Sequence, residues 1–294
     1  MVHGEWTIEE LEAEAIPKKT QQELDELREA IARLKEVRHY VVPLRQKGNT
    51  IRFAVASDDH VGSLYERFDA QEAFYETLRR EKIRTILKPG DILDGHDMYK
   101  GQTFEQYAHG MDKQLTALQQ HHPDTKGMDI HFITGNHDFS FYKIAGTDPG
   151  KRIVEEMGKG WHYAGRDRAW VDLRTRDGYE LSVALLHPAG GTTYALSYRP
   201  QKITEKIPGG MKPDILLIGH YHKAEYIPGY RNVDVFQAGC FQSQTPFMAA
   251  KPTEATVGGW IIEVTLADRR HLVRRVKAEF ISFFEPSQQP EVRE

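Results

Sequence analysis

Five short motifs contain the side chains of this sequence that are best suited to metal chemistry. They combine carboxylates and imidazoles with one carboxamide. In chain order they are Ser57-Asp58-Asp59-His60, Gly90-Asp91-Ile92-Leu93-Asp94, Gly135-Asn136-His137-Asp138, Leu185-Leu186-His187 and Gly219-His220-Tyr221-His222. A mixture of oxygen and nitrogen ligands without thiolate suits manganese, iron or zinc better than calcium or magnesium. The pattern therefore predicts a site for divalent metal ions.

A short apolar run typical of a β-strand precedes every motif. The runs cover residues 51–56, 85–87, 130–134, 181–186 and 215–218, and their length and composition favour strands. Taken singly, Asp-x-His and Gly-Asp-x-x-Asp are common, and Asn-His-Asp after glycine can be a turn held by its own side chains. Five such motifs in order, each at a strand end, are what a site for two metal ions requires.

Spacing within the motifs predicts which side chains act together. Side chains two positions apart on an extended segment point the same way, so Asp58 and His60 can bind one ion while Asp59 points elsewhere. The same argument pairs His220 with His222. Each of these pairs is expected to supply two ligands from one strand end.

Three further side chains complete the predicted ligand set. Asp91 follows a Pro-Gly turn, and its two carboxylate oxygens can bridge two cations. Asn136 offers a neutral carbonyl oxygen, and His187 adds an imidazole from another strand. We expect two divalent ions, with Mn²⁺ favoured and iron, zinc or magnesium as the alternatives.

Composition and charge set limits on the class of protein. The chain has 294 residues and a formal net charge of −4, which argues against a protein that coats nucleic acid through a basic excess. Two bound cations would nevertheless make the cleft locally positive, so DNA stays a candidate substrate. The sequence has a single cysteine, so no intrachain disulfide can form, and its acidic start lacks the apolar core of a signal peptide. It also has no run of ~20 apolar residues, the length needed to span a membrane. These features predict a cytoplasmic protein that does not span a membrane.

The sequence suggests three regions. Residues 1–48 form an N-terminal helical extension and linker, because a capping box at 20–23 precedes apolar residues spaced three and four apart up to position 37. This amphipathic helix either packs on the parent domain or pairs in a homo-oligomer. Residues 49–284 form the catalytic domain, and residues 285–294 are a polar tail.

Within the catalytic domain, strands and helices are expected to alternate at first. Helices are predicted from residue 69 onward and across 104–118, and the aromatic and methionine positions of the second are expected to lie in the core. After residue 222 the pattern becomes β-like, at 233–237, 260–266 and 273–281. A purely parallel sheet would continue to alternate with helices, so a mixed or double sheet is predicted.

The five motifs together resemble those of the calcineurin-like metallophosphoesterase superfamily, over residues 51 to about 266. The resemblance implies an α/β fold, a four-layer α/β/β/α sandwich of mixed sheets with the ligands on loops after the strands. It also implies His137 as the catalytic histidine and Asp94 as its partner. The implied ligands of the first metal are Asp58, His60, Asp91 and His222, and those of the second are Asp91, Asn136, His187 and His220.

The resemblance implies hydrolysis of a phosphoester by a hydroxide that bridges the two metals. Protein phosphatases of the superfamily carry an arginine after the aspartate equivalent to Asp94, whereas Gly95 stands here. The first two motifs, and residues 94–102 locally, are similar to the DNA-processing branches. These are the SbcD-type repair nucleases and the exonuclease small subunit of archaeal family-D DNA polymerase. The whole chain is also similar to phage and prophage members.

A DNA substrate requires side chains that contact it. Tyr198, Arg199 and Lys202 follow His187, where aromatic and basic groups could stack a base and meet a phosphate. We therefore predict a phosphodiesterase, specifically a DNA nuclease with exonuclease character, in which a preference for single strands is left open. The alternatives are an enzyme for nucleotides or other small phosphoesters, and a partner-binding scaffold with little catalysis.

Overall fold

The computed structural model describes residues 39–191, 193, 195–251, 254–267 and 274–283. The chain divides between Arg38 and His39 into two compact units, and the second contains all the described residues. The helix predicted after residue 20, the homo-oligomer expected through it and the polar tail lie outside the described residues and stay predictions. None of the helices in the described ranges is long and apolar enough to cross a membrane.

Sheet A has six strands in the order β1-β6-β7-β8-β10-β9. Strand β7 runs parallel to β8, and β8 runs parallel to β10, so their carboxyl ends lie at the same edge. Strand β1 pairs parallel with β6, and the pairs β6–β7 and β10–β9 are antiparallel. The strands are β1 (His39–Pro43), β6 (Arg168–Arg174), β7 (Glu180–Leu186), β8 (Ile215–Ile218), β9 (Ala224–Tyr230) and β10 (Val233–Ala238).

Sheet B also has six strands, in the order β12-β11-β2-β3-β4-β5. Strands β2 to β5 are parallel to one another, whereas β11 pairs antiparallel with both β2 and β12. Both sheets are therefore mixed. The strands are β2 (Thr50–Val55), β3 (Thr85–Pro89), β4 (Asp129–Ile133), β5 (Trp161–Gly165), β11 (Gly258–Leu266) and β12 (Arg274–Ser282).

Helices cover the outer faces of the two sheets. Helices α1, α2 and α4 pack on sheet B through one apolar core, and α5 lies beside β10 of sheet A. The helices are α1 (Phe68–Arg80), α2 (Met111–His121), α3 (Ser140–Ala145), α4 (Pro149–Met157), α5 (Tyr198–Lys206) and α6 (Pro246–Ala249), with 3₁₀ turns at Gln102–Glu105 and Gly209–Met211.

Strand alternation divides the apolar residues between two cores. Ile86 of β3 faces the helices, and its neighbour Leu87 faces the core between the sheets, because successive side chains of a strand point to opposite faces. Phe53 of sheet B and Phe236 of sheet A also meet in that inner core. The predicted four-layer α/β/β/α sandwich is confirmed.

Strands were predicted correctly before all five motifs and after residue 222, but the helix expected over 104–118 was not. Gly110, with φ of 85°, separates the 3₁₀ turn from α2, which begins at Met111. Phe104 is 84% exposed and Tyr107 39% exposed, so neither lies in the core. The apolar spacing continues across two elements that a left-handed residue divides.

The domain boundary expected at residue 49 also differs from the structure. Strand β1 lies in the stretch expected to be extension and linker, yet Val42 and Leu44 are buried in the core between the sheets. Its partner β6 is far away in the chain, so local sequence contains no signal of this pairing. The described part of the domain therefore includes residues before 49.

A buried ion pair joins the first motif to sheet B. The ammonium of Lys88 lies 2.9 Å and 2.7 Å from the two carboxylate oxygens of Asp59. Both side chains are at most 2% exposed. Burial raises the pKa of Asp59 above its ordinary value, although Lys88 acts in the opposite direction. Asp59 thus points away from its two neighbours, as predicted.

Replacing Lys88 by methionine is expected to lower the free energy of unfolding by roughly 3–5 kcal/mol, because the Asp59 carboxylate would stay buried without its partner. Urea unfolding in the presence of a chelator measures this without a contribution from metal binding. The matched variant Lys88→Met/Asp59→Leu removes both charges and should recover most of the stability. A double variant no more stable than the single one would show that the unpaired carboxylate is not the cause.

Candidate metal centre

The five motifs meet at one edge of the sandwich. Three of them follow β2, β3 and β4 of sheet B, and two follow β7 and β8 of sheet A. Hydrogen bonds join the motifs, since the backbone N–H of Asp58 donates to Gly90 at 3.1 Å and that of His60 to Asp91 at 3.2 Å. The fold therefore gathers residues from across the chain into one cluster.

Five of the candidate ligands have left-handed backbone conformations. The φ angles lie between 49° and 80°, a region that residues other than glycine adopt rarely. Strain of this kind persists where the surrounding structure imposes it, typically at functional sites. These ligands therefore lie on kinked loops and not on the extended strand ends from which their pairing was predicted. His220 and His222, which were paired on that basis, belong to different groups of ligand atoms. The five residues with left-handed conformations are Asp58, His60, Asp91, His220 and His222.

The first cluster consists of Asp58, His60 and His222, whose ligand atoms lie within 4.8 Å of one another. The Nε2 atoms of the two histidines are 3.0 Å apart, and Nε2 of His222 is 3.4 Å from Asp58. Nδ1 of His60 lies 3.2 Å from the Asp94 carboxylate, to which it can donate. This outer hydrogen bond leaves the Nε2 lone pair of His60 for a metal ion.

The second cluster consists of Asp91, His187 and His220. Nδ1 of His187 donates to the carbonyl of Pro89 at 2.7 Å, which directs its Nε2 into the site. There Nε2 lies 2.9 Å from Asp91 and 3.1 Å from the Asn136 amide oxygen. Two oxygens and a nitrogen lone pair that face one another need a cation or a proton between them.

Asp91 lies between the two clusters. Its Oδ2 is 2.9 Å from Nε2 of His187 and 4.0 Å from Nε2 of His60. Its Oδ1 accepts a hydrogen bond from the backbone N–H of His137 at 2.9 Å. A Cβ at Gly135 would collide with this carboxylate, so the backbone must pass here without a side chain. The geometry suits the predicted bridging role.

The charges of the centre suit a bound cation. Burial acts to raise the pKa of Asp91, but the surrounding histidines, His187 foremost, hold it well below its ordinary value. Burial acts to lower the pKa of His187, but Asp91 outweighs burial and raises it to about 9. The cluster therefore retains a positive charge beside its carboxylates, as a proton or as a metal ion. The donor set present fits divalent metal ions.

Metal binding at pH 7 is expected to release between about one and two protons, because His187 and His222 must lose theirs to bind a metal ion. The pKa of His222 also lies well above its ordinary value, since Cys240 and Asp58 outweigh burial. The affinity for Mn²⁺ should thus rise with pH from neutrality through about 9, where His187 loses its proton. Calorimetry in buffers of different ionisation enthalpy measures the release, and metal binding without proton release at pH 7 would contradict it.

His137 is positioned by the main chain rather than by the predicted carboxylate. Its Nδ1 donates to the backbone carbonyl of Asp94 at 2.7 Å, whereas the Asp94 carboxylate is 4.0 Å away. That carboxylate lies nearer His60 and accepts from Gln106 at 2.7 Å and from Gln102 at 3.1 Å. Asp94 therefore contacts His137, as the resemblance implies, but through its backbone carbonyl, and its carboxylate contacts His60.

Asp138 organises the centre, although it was not among the predicted site residues. Its buried carboxylate accepts from the N–H groups of Gly135 and Leu93, each at 2.8 Å, and from that of Ile92 at 3.3 Å. Burial, with Asp91 second, raises its pKa to about 7. The signal in the sequence was an aspartate three residues after a glycine, which is typical of turns stabilised by side chains.

A cleft of about 320 Å³ opens over the clusters, and His60, Asp91 and His137 line it. The three predicted substrate residues are arranged unequally around it. Arg199 borders the rim, because a Cβ built on the lining residue Gly190 would be 3.3 Å from its guanidinium. Lys202 binds Glu205 at 2.9 Å instead, and Tyr198 is 51% exposed on α5 outside the lining residues.

No protein-family model and no curated protein matches this sequence. Solved structures match at the level of the fold. Wild-type Vps29 from Entamoeba histolytica, complexed with Zn²⁺, has 17% identity and a TM-score of 0.38, covering 79% of this chain and 99% of its own. A predicted phosphoesterase from Streptococcus pneumoniae has 14% identity and a TM-score of 0.37, covering 79% and 100%.

A third solved structure, a 5′-nucleotidase from Candida albicans, has 11% identity and a TM-score of 0.39. The match covers 82% of this chain and 52% of the nucleotidase. With identities and TM-scores this low, what this chain does has to be inferred from its own site.

Proposed function

We propose that this chain is a phosphodiesterase that uses two divalent metal ions and cleaves DNA, with exonuclease character. One observation carries the proposal. Asp91 lies between two buried clusters of metal-binding side chains, and His137 lines the same cleft. No expected ligand is missing, which weighs against a scaffold that has lost its catalytic site.

The ligand groups would divide between two ions that share Asp91. When bound, these ions would activate a water molecule and neutralise charge on the phosphoryl group. The first ion would be held by Asp58, His60, Asp91 and His222, and the second by Asp91, Asn136, His187 and His220.

His137 would donate a proton to the leaving group. Its Nδ1 donates a hydrogen bond to the backbone carbonyl of Asp94, so Nε2 is the ring nitrogen that can contact a substrate in the cleft. Burial lowers its pKa in the metal-free protein, so the ring is neutral at pH 7. The negative charge of a bound phosphodiester would favour a proton at Nε2, from which the departing oxygen could take it.

The structure explains why the arginine of the protein phosphatases has no place here. Gly95 follows Asp94 with φ of 79°, and a Cβ on it would collide with the backbone carbonyl of His137. A side chain at this position would displace the catalytic loop. No arginine can therefore bind a phosphomonoester dianion from this position, which favours a diester. Arg199 at the rim could meet a neighbouring phosphate of a longer strand.

If the substrate is a polymer, a variant at the rim of the cleft should affect cleavage of DNA more than cleavage of a small diester. Arg199→Ala should weaken manganese-dependent cleavage of labelled DNA more than cleavage of bis-p-nitrophenyl phosphate, and should reduce the salt slope of DNA affinity by about one. Lys202→Ala is the matched control, since its ammonium is bound to Glu205 away from the cleft.

The same assays decide between the alternatives. Excess chelator should abolish cleavage, Mn²⁺ should restore it better than Ca²⁺, and the diester should react faster than p-nitrophenyl phosphate. Efficient hydrolysis of mononucleotides or sugar phosphates with DNA left intact would favour the small-substrate alternative. A protein that binds two metal ions but hydrolyses no phosphoester would favour the scaffold.

A further inference from the structure

One wall of the cleft is aromatic. The rings of Tyr99 and Phe247 stack with centroids 4.2 Å apart and planes inclined by 15°. Both line the same cleft as the metal clusters, together with Met98 and Met248. Phe247 is 36% exposed, so a large apolar ring is partly open beside a site built from charged groups.

The two rings come from distant segments that hold each ring in place. The hydroxyl of Tyr99 donates to Glu105 at 2.7 Å, which ties it to the 3₁₀ turn. Phe247 lies in the short helix α6, whose first turn is capped by the Thr245 hydroxyl accepting from the N–H of Met248 at 3.2 Å. Met98 and Met248 line the cleft with the rings, and methionine side chains adapt readily to the shape of a ligand.

A cation accompanies the rings. The ammonium of Lys251 lies 3.9 Å from the centroid of the Phe247 ring, within the range of a cation–π contact, and Lys251 also lines the cleft. Aromatic faces next to a cation match a nucleotide, whose flat base stacks on rings and whose phosphate pairs with an ammonium. A sugar phosphate or a phosphoserine side chain has no flat group that could stack on these rings.

We propose that Tyr99 and Phe247 form the subsite for the nucleobase next to the scissile phosphate, with Lys251 placed for the adjoining phosphate. The inference rests on the proposed phosphodiesterase function and names its substrate class. Stacking of this kind accepts all bases, because every base has a flat face.

Two synthetic diesters with the same leaving group provide the test. The p-nitrophenyl ester of thymidine monophosphate offers a base to the wall, whereas methyl p-nitrophenyl phosphate does not. Wild-type protein should have the higher kcat/KM on the thymidine ester. Phe247→Ala should lower the ratio of the two kcat/KM values by about 10-fold, the size of one lost base–aromatic stack, and Phe247→Trp should retain it.

Phe68→Ala is the matched control, since Phe68 is an exposed phenylalanine outside the cleft and its loss should leave the ratio unchanged. If Phe247→Ala lowers the metal content, Phe247→Leu keeps most of the volume while removing the ring. An unchanged ratio in both Phe247→Ala and Phe247→Leu would overturn the nucleobase subsite and leave the phosphodiesterase intact. Failure of the wild-type protein to hydrolyse either ester would instead overturn the proposed function.

Discussion

Replacing Asp91 by alanine is expected to remove both metal ions and to reduce phosphodiester hydrolysis on the order of 10⁴-fold, since several kcal/mol of charge stabilisation would be lost. No other candidate ligand has this position, with one oxygen 2.9 Å from His187 and 4.0 Å from His60. Metal content measured by mass spectrometry and the rate with Mn²⁺ give the two readouts. Asp112→Ala, which changes a carboxylate that is 90% exposed, is the matched control.

Loss of one metal ion with retention of the other would show that Asp91 serves a single cluster. Retention of both ions would remove Asp91 from the bridging role altogether. Asp91→Asn refines the result, because it keeps the shape and one carbonyl oxygen but removes the charge. It should bind the metals more weakly than the wild-type protein and more strongly than the alanine variant.

His137→Ala is expected to bind both metal ions yet to lose about 10²- to 10⁴-fold in rate, the usual range for a positioned acid or base. Alanine retains the backbone N–H that donates to Asp91, so the bridging carboxylate should stay in place. The same two assays, metal content and rate, separate catalysis from binding. His96→Ala, at an exposed histidine of the neighbouring loop, should change neither.

A competing arrangement makes this variant informative. His137 also belongs to a group with His60 and Asp94 whose ligand atoms lie within 4.8 Å, so it could ligate a metal itself. If metal content falls together with the rate, His137 belongs to the ligand shell. A leaving group that needs no proton, such as p-nitrophenolate, should then show the same loss as an alkoxide leaving group.

The chemical types of the candidate ligands and much of the local structure could be predicted from the sequence. The types of the candidate ligands are read directly from the motifs, and strands β2, β3, β4, β7 and β8 were located because short apolar runs end at those motifs. These inferences succeeded because each depends on neighbours in the chain. The direction of Asp59 was also predicted correctly, although Asp58 and His60 have left-handed conformations and not the extended ones that the prediction assumed.

How those parts combine depends on the three-dimensional arrangement of distant segments. Asp94 reaches His60 with its carboxylate and His137 with its backbone carbonyl, an assignment that depends on the relative placement of three loops. Lys202 carries the right charge for DNA, but its ammonium pairs with Glu205 and it is not among the residues that line the cleft. A residue's type does not show which partner comes within hydrogen-bonding distance.

Pairings between distant segments were likewise invisible in the sequence. Among the described residues, strand β1 joins sheet A through its pairing with β6. Tyr99 meets Phe247 because the loop after β3 and helix α6 approach the same cleft. Neither segment contains a local sequence pattern that predicts which distant segment it contacts. Contacts of this kind form when the two sheets pack and bury their shared core, so the cleft wall, and with it the nucleobase subsite that we propose there, is a property of the assembled fold.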